Sequence, residues 1–269
     1  MLGYLLAMTI GFSLGLLGGG GSILTVPILV YVMDMDPKVS IALSLAIVGM
    51  TSLVGVFGHY RKNNIHFRVA LTFAPFAMIG TFLGAKISQF MSGSIQLILF
   101  ACIMLLASVL MIRGRKDTEE DLEKQKSLPL ATLAIQAIIV GIVTGLVGVG
   151  GGFLIVPALV LLSGLSMKKA VGTSLFIISL NSFSGFMGYL GLVEIPWPFL
   201  FKFSAFSAIG IFIGIALSQY VSQPTLKKIF GIFLIFMGLF ILYKNREVFQ
   251  SKISSYGISP SATLARNQV

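Results

Sequence analysis

The sequence predicts an all-α integral membrane protein with two inverted-topology repeats, each a glycine-broken short-helix hairpin followed by three transmembrane helices. Composition, long apolar segments and an internal repeat support this prediction. Of the 269 residues, 56% are hydrophobic and 10% are charged, whereas a soluble domain carries about 25% charged residues. A helix that crosses a bilayer needs ~20 apolar residues. Six segments approach or reach that length: 41–58, 69–85, 95–112, 171–193, 199–221 and 229–243.

The repeat appears when the sequence is shifted by 130 residues. The segment GFSLGLLGGGGSILTVPILV, which begins at Gly11, then aligns with GIVTGLVGVGGGFLIVPALV, which begins at Gly141. Further along, GTFLGAKISQ from Gly80 aligns with GIFIGIALSQ from Gly210. Because the register holds without a gap over about eighty residues, the chain divides into two homologous halves. We expect a first repeat at 1–113, a charged cytoplasmic linker at 114–127, a second repeat at 128–245 and a polar tail at 246–269.

Loop charges predict the relative orientation of the halves, because cytoplasmic loops of membrane proteins are enriched in Lys and Arg. The loop after segment 41–58 carries Arg61 and Lys62, whereas its counterpart after segment 171–193 carries only the acid Glu194. The following loop shows the opposite contrast, since the first half is uncharged there and the second half carries Lys227 and Lys228. Equivalent loops with opposite charge are typical of inverted-topology repeats.

The glycine run of each half lies between two apolar segments that are short for a membrane span. At ~1.5 Å per residue, segment 4–17 gives about 21 Å of helix and segment 22–33 about 18 Å, against a hydrocarbon core of ~30 Å. A pair of short helices that meet at the glycines fits these lengths and gives ten membrane segments. One continuous span per half, and eight segments in all, is the alternative.

The glycine runs are the first candidate site. Irregular backbone at membrane depth occurs where it is buried in protein or lines a wet cavity, and inverted-repeat transporters bind substrate at such breaks. The N–H groups that open the next helix, together with its dipole, suit an anion. Glycine pairs four residues apart at 11/15, 80/84 and 210/214 instead favour close helix packing. The predicted substrate-binding residues at the two breaks are Gly18, Gly20, Gly21, Ser22, Gly148, Gly150, Gly151 and Gly152.

A polar stripe in the next segment of each half is the second candidate. Its hydroxyls and amide can donate hydrogen bonds to an oxyanion along a conduction path, or can bond to a neighbouring helix. The spacing i, i+7, i+8 and i+11 places its members on one helix face. The predicted binding residues are Ser44 and Thr51 of the stripe in the first half, and Ser174 and Asn181 in the second, with Thr173 beside them.

Several classes of protein are disfavoured by the placement of charges. Proton relays and cation sites in membranes typically contain buried carboxylates. All nine acids of this sequence instead fall in loops or near segment ends. We therefore expect no metal site, no cofactor and no enzymatic centre, and we place His59 and His66 at the membrane interface. The net charge of +10 is concentrated in short loops, where it sets topology, so a nucleic-acid partner is not expected.

The two glycine motifs give the chain a resemblance to the TauE/SafE family of sulfite exporter-like permeases. The second copy, GLVGVGGGFLIVPALVLLSGLSMKKAVGTSL, resembles the family motif more closely than GLLGGGGSILTVP does. The resemblance implies that the motif residues Gly148, Gly150, Gly151, Thr173 and Ser174 belong to the binding site. In the first half, Ala42 and Leu43 replace Gly172 and Thr173, so we expect two unequal half-sites.

The resemblance also implies a function. It predicts a multi-pass transporter of the prokaryotic inner or plasma membrane, and an exporter of small sulfur-containing anions such as sulfite or organosulfonates. Alternating access between the two repeats would move the anion across the lipid bilayer. The alternatives are a passive anion channel and a permease for another small organic or inorganic anion.

Overall fold

The structure, a computed structural model, describes residues 2–113, 130–147, 152–161 and 163–246. The described residues form ten α-helices, with a π-helical turn at Ile28–Val32 after the second and a 3-10 turn at Ser88–Phe90 after the fourth. The predicted linker, most of the tail and the site residues Gly148, Gly150 and Gly151 lie outside these ranges. The helices are α1 Leu2–Leu17, α2 Gly20–Pro27, α3 Pro37–Tyr60, α4 Phe67–Ile87, α5 Gly93–Arg113, α6 Leu130–Val147, α7 Gly152–Leu161, α8 Met167–Tyr189, α9 Trp197–Ser218 and α10 Gln223–Lys244.

Six of these helices are long and apolar enough to cross a membrane, namely α3, α4, α5, α8, α9 and α10. The helices α3 and α8 form a buried central pair. The outer helices expose large apolar side chains, including Leu71, Leu106, Phe201 and Phe236. Exposed apolar surface of this extent suits lipid rather than water. The prediction of an all-α integral membrane protein is therefore confirmed.

The boundary that opens α3 shows how local sequence sets a helix start. The Asp36 side chain accepts hydrogen bonds from the backbone N–H groups of Lys38 (2.8 Å) and Val39 (3.2 Å). Pro37 occupies the first helical position, where its missing N–H leaves no intrahelical bond unmade. A capping acid at the membrane surface thus fixes where the central helix begins.

Each half of the chain packs mainly against the other half. The helix α1 lies along α9, and α6 lies along α4 in the equivalent way. At the first contact, a Cβ added to Gly11 would strike the Ser207 carbonyl and one added to Gly210 would strike the Met8 carbonyl. At the second, a Cβ on Gly80 would strike the carbonyl of Ile138. The prediction that these glycine pairs serve close packing is confirmed.

We expect Gly11→Ala to lower the melting temperature of the detergent-solubilised protein. Alanine favours a helix over glycine by about 1 kcal/mol, so on propensity alone the change would stabilise α1. The added methyl group would instead force α1 away from α9, and such overpacking costs about 1–3 kcal/mol. A Cβ on Gly3, in the same helix, meets only the flexible end of Met33 at 3.4 Å. Gly3→Ala is therefore the control, and equal melting temperatures for the two variants would contradict this packing.

The first glycine run forms the hairpin expected from the segment lengths. The helix α1 ends at Leu17 and α2 begins at Gly20, so no continuous span runs through the glycines. The start of α1 lies beside the end of the π-helical segment, since Gly3 neighbours Met33. After the hairpin, the chain thus returns to the side of the protein on which α1 begins.

Two lysines, one in each half of the chain, bind the ends of neighbouring helices. The Nζ of Lys38 donates to the Gln89 carbonyl at 3.4 Å, and that of Lys168 donates to the Gln219 carbonyl at 3.1 Å. The two contacts are repeat equivalents. Because the last carbonyls of a helix lack internal partners, a cation placed there stabilises the helix C-terminus.

Candidate functional site

The first break is a glycine turn deep inside the protein. The backbone of Gly18 has φ +74°, a left-handed conformation that glycine adopts without penalty. The Gly18 N–H donates to the Leu14 carbonyl and the Gly19 N–H to the Leu17 carbonyl, both at 2.8 Å. These bonds close the end of α1, and α2 then starts in a new direction at Gly20.

The two short helices that follow the breaks begin side by side. A Cβ on Gly19 would strike the Gly152 carbonyl and come within 2.8 Å of the Phe153 nitrogen. In the reverse direction, a Cβ on Gly152 would lie 2.8 Å from the Gly19 Cα and 2.9 Å from the Ser22 Oγ. The first N–H groups of α2 and α7 have no acceptor within their own helices, and both helix dipoles are positive at this end. The arrangement thus concentrates donors and positive potential at one buried point.

The glycines of the first break, which include the predicted Gly18, Gly20 and Gly21 and also Gly19, have different roles. Gly18 and Gly19 face the second half, whereas Gly20 and Gly21 face α1. A Cβ on Gly20 would meet the Leu17 side chain at 2.9 Å, and one on Gly21 would meet the Leu14 nitrogen at 3.1 Å. Gly20 and Gly21 therefore let α2 pack tightly on α1. Ser22 is buried, and its Oγ donates to the Gly19 carbonyl at 2.7 Å, which fixes the turn.

One face of α8 runs along this meeting point. The Ser174 Oγ lies 2.7 Å from the position that a Cβ on Gly18 would occupy, and it donates to the Val171 carbonyl at 2.8 Å. Ile178 lies against Gly152. Residues at i, i+4 and i+7 share a helix face, so Asn181 projects from the same face as Ser174 and Ile178.

Asn181 is fully buried, and both its amide nitrogen and its amide oxygen lack a hydrogen-bond partner. The hydroxyls of Ser182 on α8 and of Thr51 and Ser52 on α3 are also buried without partners. More than 90% of buried polar groups in proteins are paired, so these unpaired side chains on the central helices need an explanation. The predicted stripe is thus buried, and within it Thr51 and Asn181 lack hydrogen-bond partners, whereas the Ser174 hydroxyl is bonded to the Val171 carbonyl. Ser44, the repeat equivalent of Ser174, is buried on α3.

Thr173 makes a contact that the sequence did not indicate. Its Oγ1 accepts a hydrogen bond from the His66 backbone N–H at 2.9 Å. The neighbouring Gly172 lies against the Asn64 backbone, with no room for a Cβ. The loop 61–66, in which Asn63 has φ +53°, is therefore held against α8. The first half has Ala42 and Leu43 at the two equivalent positions, so this contact is one physical source of the expected inequality.

His59 lies one residue before the end of α3, next to the basic loop, so its position at the membrane interface stays a prediction, but its side chain faces the protein interior. Its side chain is 1% exposed, and neither ring nitrogen has a hydrogen-bond partner. The ring approaches the backbone of Gly15 without reaching hydrogen-bond geometry. The repeat equivalent, Tyr189, is also buried, but it donates to the Gly145 carbonyl at 3.2 Å. The alignment of His59 with an aromatic residue was the only sequence signal of its burial.

An apolar hollow on the outer surface is a poor candidate for an anion site. It is lined by Pro75, Met78, Ile79, Phe82, Leu83 and Ser184. Its one hydroxyl, that of Ser184, already donates to the Met78 carbonyl at 2.9 Å. The hollow therefore offers no free donor to an anion.

Comparison with known proteins agrees with this architecture. The family model described as "Sulfite exporter TauE/SafE" matches residues 4–241. A probable membrane transporter protein of Xylella fastidiosa strain 9a5c is 32% identical over 241 residues, which cover 88% of this chain and 92% of the relative. The probable membrane transporter protein YdhB of Bacillus subtilis strain 168 is 28% identical over 245 residues, covering 90% and 100% of the two chains.

A more distant relative is similar over the same length. A probable membrane transporter protein of Methanocaldococcus jannaschii is 27% identical over 259 residues, which cover 88% of this chain and 94% of the relative. No solved structure matches the chain. The family match spans nearly the whole chain, including both glycine motifs, five of the six long helices and most of the sixth. This multi-pass membrane protein belongs to the sulfite exporter TauE/SafE family of membrane transporters.

Proposed function

We propose that the protein is a secondary transporter that exports small sulfur-containing anions such as sulfite or organosulfonates. The observation that supports this most directly is the junction of Gly19 and Gly152. There, the starts of α2 and α7 lie beside a helix face that carries the unpaired amide of Asn181. The family description supports the class of substrate.

The chemistry of the junction favours a small oxyanion. Backbone N–H groups at two helix starts donate hydrogen bonds without contributing a full positive charge, and the Asn181 amide adds a further donor. Acidic residues are absent from the described helices, so no carboxylate there would repel an anion. Because binding through neutral dipoles involves no full ion pair, we expect it to be reversible enough for transport.

Alternating access is the mechanism that we propose for this architecture. The first turns of α8 lie beside the loop that follows α3, since the His66 N–H donates to the Thr173 hydroxyl. The ends of α8 and α6 lie together near the start of α5, where the Gln96 Nε2 donates to the Leu146 carbonyl at 2.6 Å and to the Tyr189 hydroxyl at 3.0 Å. These contacts support two repeats of opposite orientation. Rocking of one repeat against the other would open the junction to each side in turn.

The experiment that tests this function is uptake of labelled sulfite by proteoliposomes that contain the purified protein. Saturable uptake that unlabelled sulfite and sulfoacetate inhibit, and that acetate does not, is the expected result. Absence of uptake would remove sulfite as the substrate, and competition tests with sulfonates and other oxyanions would follow. A linear, non-saturating flux carried as single-channel current would instead indicate the passive anion channel.

A further inference from the structure

We propose that His59 carries the proton that accompanies the anion through the transporter, an inference that rests on the proposed function. An unpaired, fully buried imidazole is a rare feature, because buried polar groups are nearly always hydrogen-bonded. Histidine is also the side chain that most readily gains and loses a proton near neutral pH. In the described membrane-spanning helices, which lack carboxylates, His59 is the buried side chain best suited to this task.

The position of His59 places it on the path between the junction and the basic loop. Its ring approaches Gly15, which precedes Gly18 by one helical turn, or about 5 Å along the axis. On its other side, two residues separate it from Lys62. A proton on His59 would therefore lie between the anion-binding helix starts and the loop that we expect to face the cytoplasm.

The charges around His59 come from few groups. Lys62 acts on it electrostatically, and its Nζ donates to the Ile215 carbonyl at 2.9 Å and to the Gln219 Oε1 at 3.3 Å. The helices α1 and α2 carry no charged residue. On α9 the charged residue is Lys202, more than three turns before Ile215. On α8, Lys168 and Lys169 lie in the first turn, and Lys168 is bonded to the Gln219 carbonyl.

The proposed step involves no covalent bond to the substrate. As the anion reaches the helix starts, one ring nitrogen of His59 binds a proton from water, and the imidazolium and the anion then stabilise each other. When the site opens to the other side, the anion leaves and the proton returns to water. For a monoanion the cycle moves no net charge, so transport follows the combined gradients of anion and proton.

The test uses proteoliposomes with the membrane potential clamped at zero and an inside-alkaline pH gradient. Labelled methanesulfonate is the substrate beside sulfite, because a sulfonate stays fully ionised and cannot carry its own proton. One coupled proton supports about a tenfold accumulation for each pH unit of gradient. We expect this accumulation in the wild type and in His66→Gln. In His59→Gln we expect the internal and external concentrations of the anion to become equal. We expect the same of His59→Tyr, which introduces the residue found at the equivalent position of the other repeat. Both variants should still exchange labelled for unlabelled anion in a counterflow assay.

A second readout separates failure of this inference from failure of the proposed function. The chain has two histidines, so ¹⁵N-histidine NMR of His66→Gln reports His59 alone. We expect its imidazole signal to titrate and to shift when anion is added. Accumulation in His59→Gln equal to wild type would overturn the inference and leave the transporter standing. Absence of uptake by every variant would contradict the proposed function and the proton role together. A His59 imidazole signal that never titrates would contradict the proton role alone.

Discussion

Gly19→Ala is expected to reduce the initial rate of anion uptake by about 100-fold, the cost that a displacement of ~1 Å can impose on a precisely arranged site. The backbone of Gly19 has φ −104° and ψ −12°, which alanine adopts without strain. The whole effect therefore comes from the methyl group, which would strike the Gly152 carbonyl. To admit it, the starts of α2 and α7 must separate, and their N–H groups can no longer converge on one anion.

Two further variants make this test specific. Gly152→Ala places a methyl group on the other side of the same contact, 2.8 Å from the Gly19 Cα, and should give the same loss. Gly3→Ala adds the same atom near the start of α1 and should transport normally. Size-exclusion profiles and melting temperatures establish that each variant is folded, and thermal stabilisation by added sulfite reports binding separately from transport. Normal uptake by folded Gly19→Ala would remove the helix starts from the binding site.

The position of the first break and the equivalence of the halves followed from the sequence because both are local properties. Consecutive glycines disfavour a helix, and here α1 ends before Gly18 and Gly19, although Gly20 and Gly21 already belong to α2. A gapless repeat requires no knowledge of the fold. Which helices touch is a non-local property. The alignment pairs Gly11 with Gly141 and Gly80 with Gly210, yet the contacts join Gly11 to α9 and Gly80 to α6. A repeat identifies residues that occupy equivalent positions, but it does not indicate whether each of them packs against a helix of its own half or of the other half.

The same limit explains the residues whose roles were missed. Thr173 belongs to the family-like motif, but its hydroxyl accepts a bond from a loop of the other half, and no spacing within the motif encodes that loop. His59 follows an apolar segment and precedes Arg61 and Lys62, so hydropathy places it at the surface. It is buried because α1 and α9 cover the end of α3. Burial near a helix end depends on tertiary packing, which local composition does not report.

Asn181→Leu is expected to stabilise the protein and to impair transport. Leucine has the same number and branching of side-chain heavy atoms as asparagine, and the Asn181 amide has no partner that the change would leave unpaired. An unsatisfied buried polar group costs about 1–3 kcal/mol, so removing it should raise the melting temperature by about 2 °C or more. A hydrogen bond to a charged ligand contributes about 1.5–3 kcal/mol. Its loss should weaken anion binding by about 10–100-fold, measured as the increase in KM for sulfite uptake.

The opposite signs of the two effects distinguish a binding residue from a structural one. Gln96 provides the matched comparison, because it is also a buried amide, but its Nε2 donates to the Leu146 carbonyl and the Tyr189 hydroxyl. Gln96→Leu would remove the donor to the Leu146 carbonyl and one of the bonds of the Tyr189 hydroxyl, which would keep its bond to the Gly145 carbonyl. The change should therefore lower the melting temperature by breaking the contact between α5, α6 and α8. If Asn181→Leu also lowered the melting temperature and left KM unchanged, Asn181 would be part of the helix packing. A higher melting temperature with a raised KM would show that the unpaired amide is kept, at a cost in stability, for the anion.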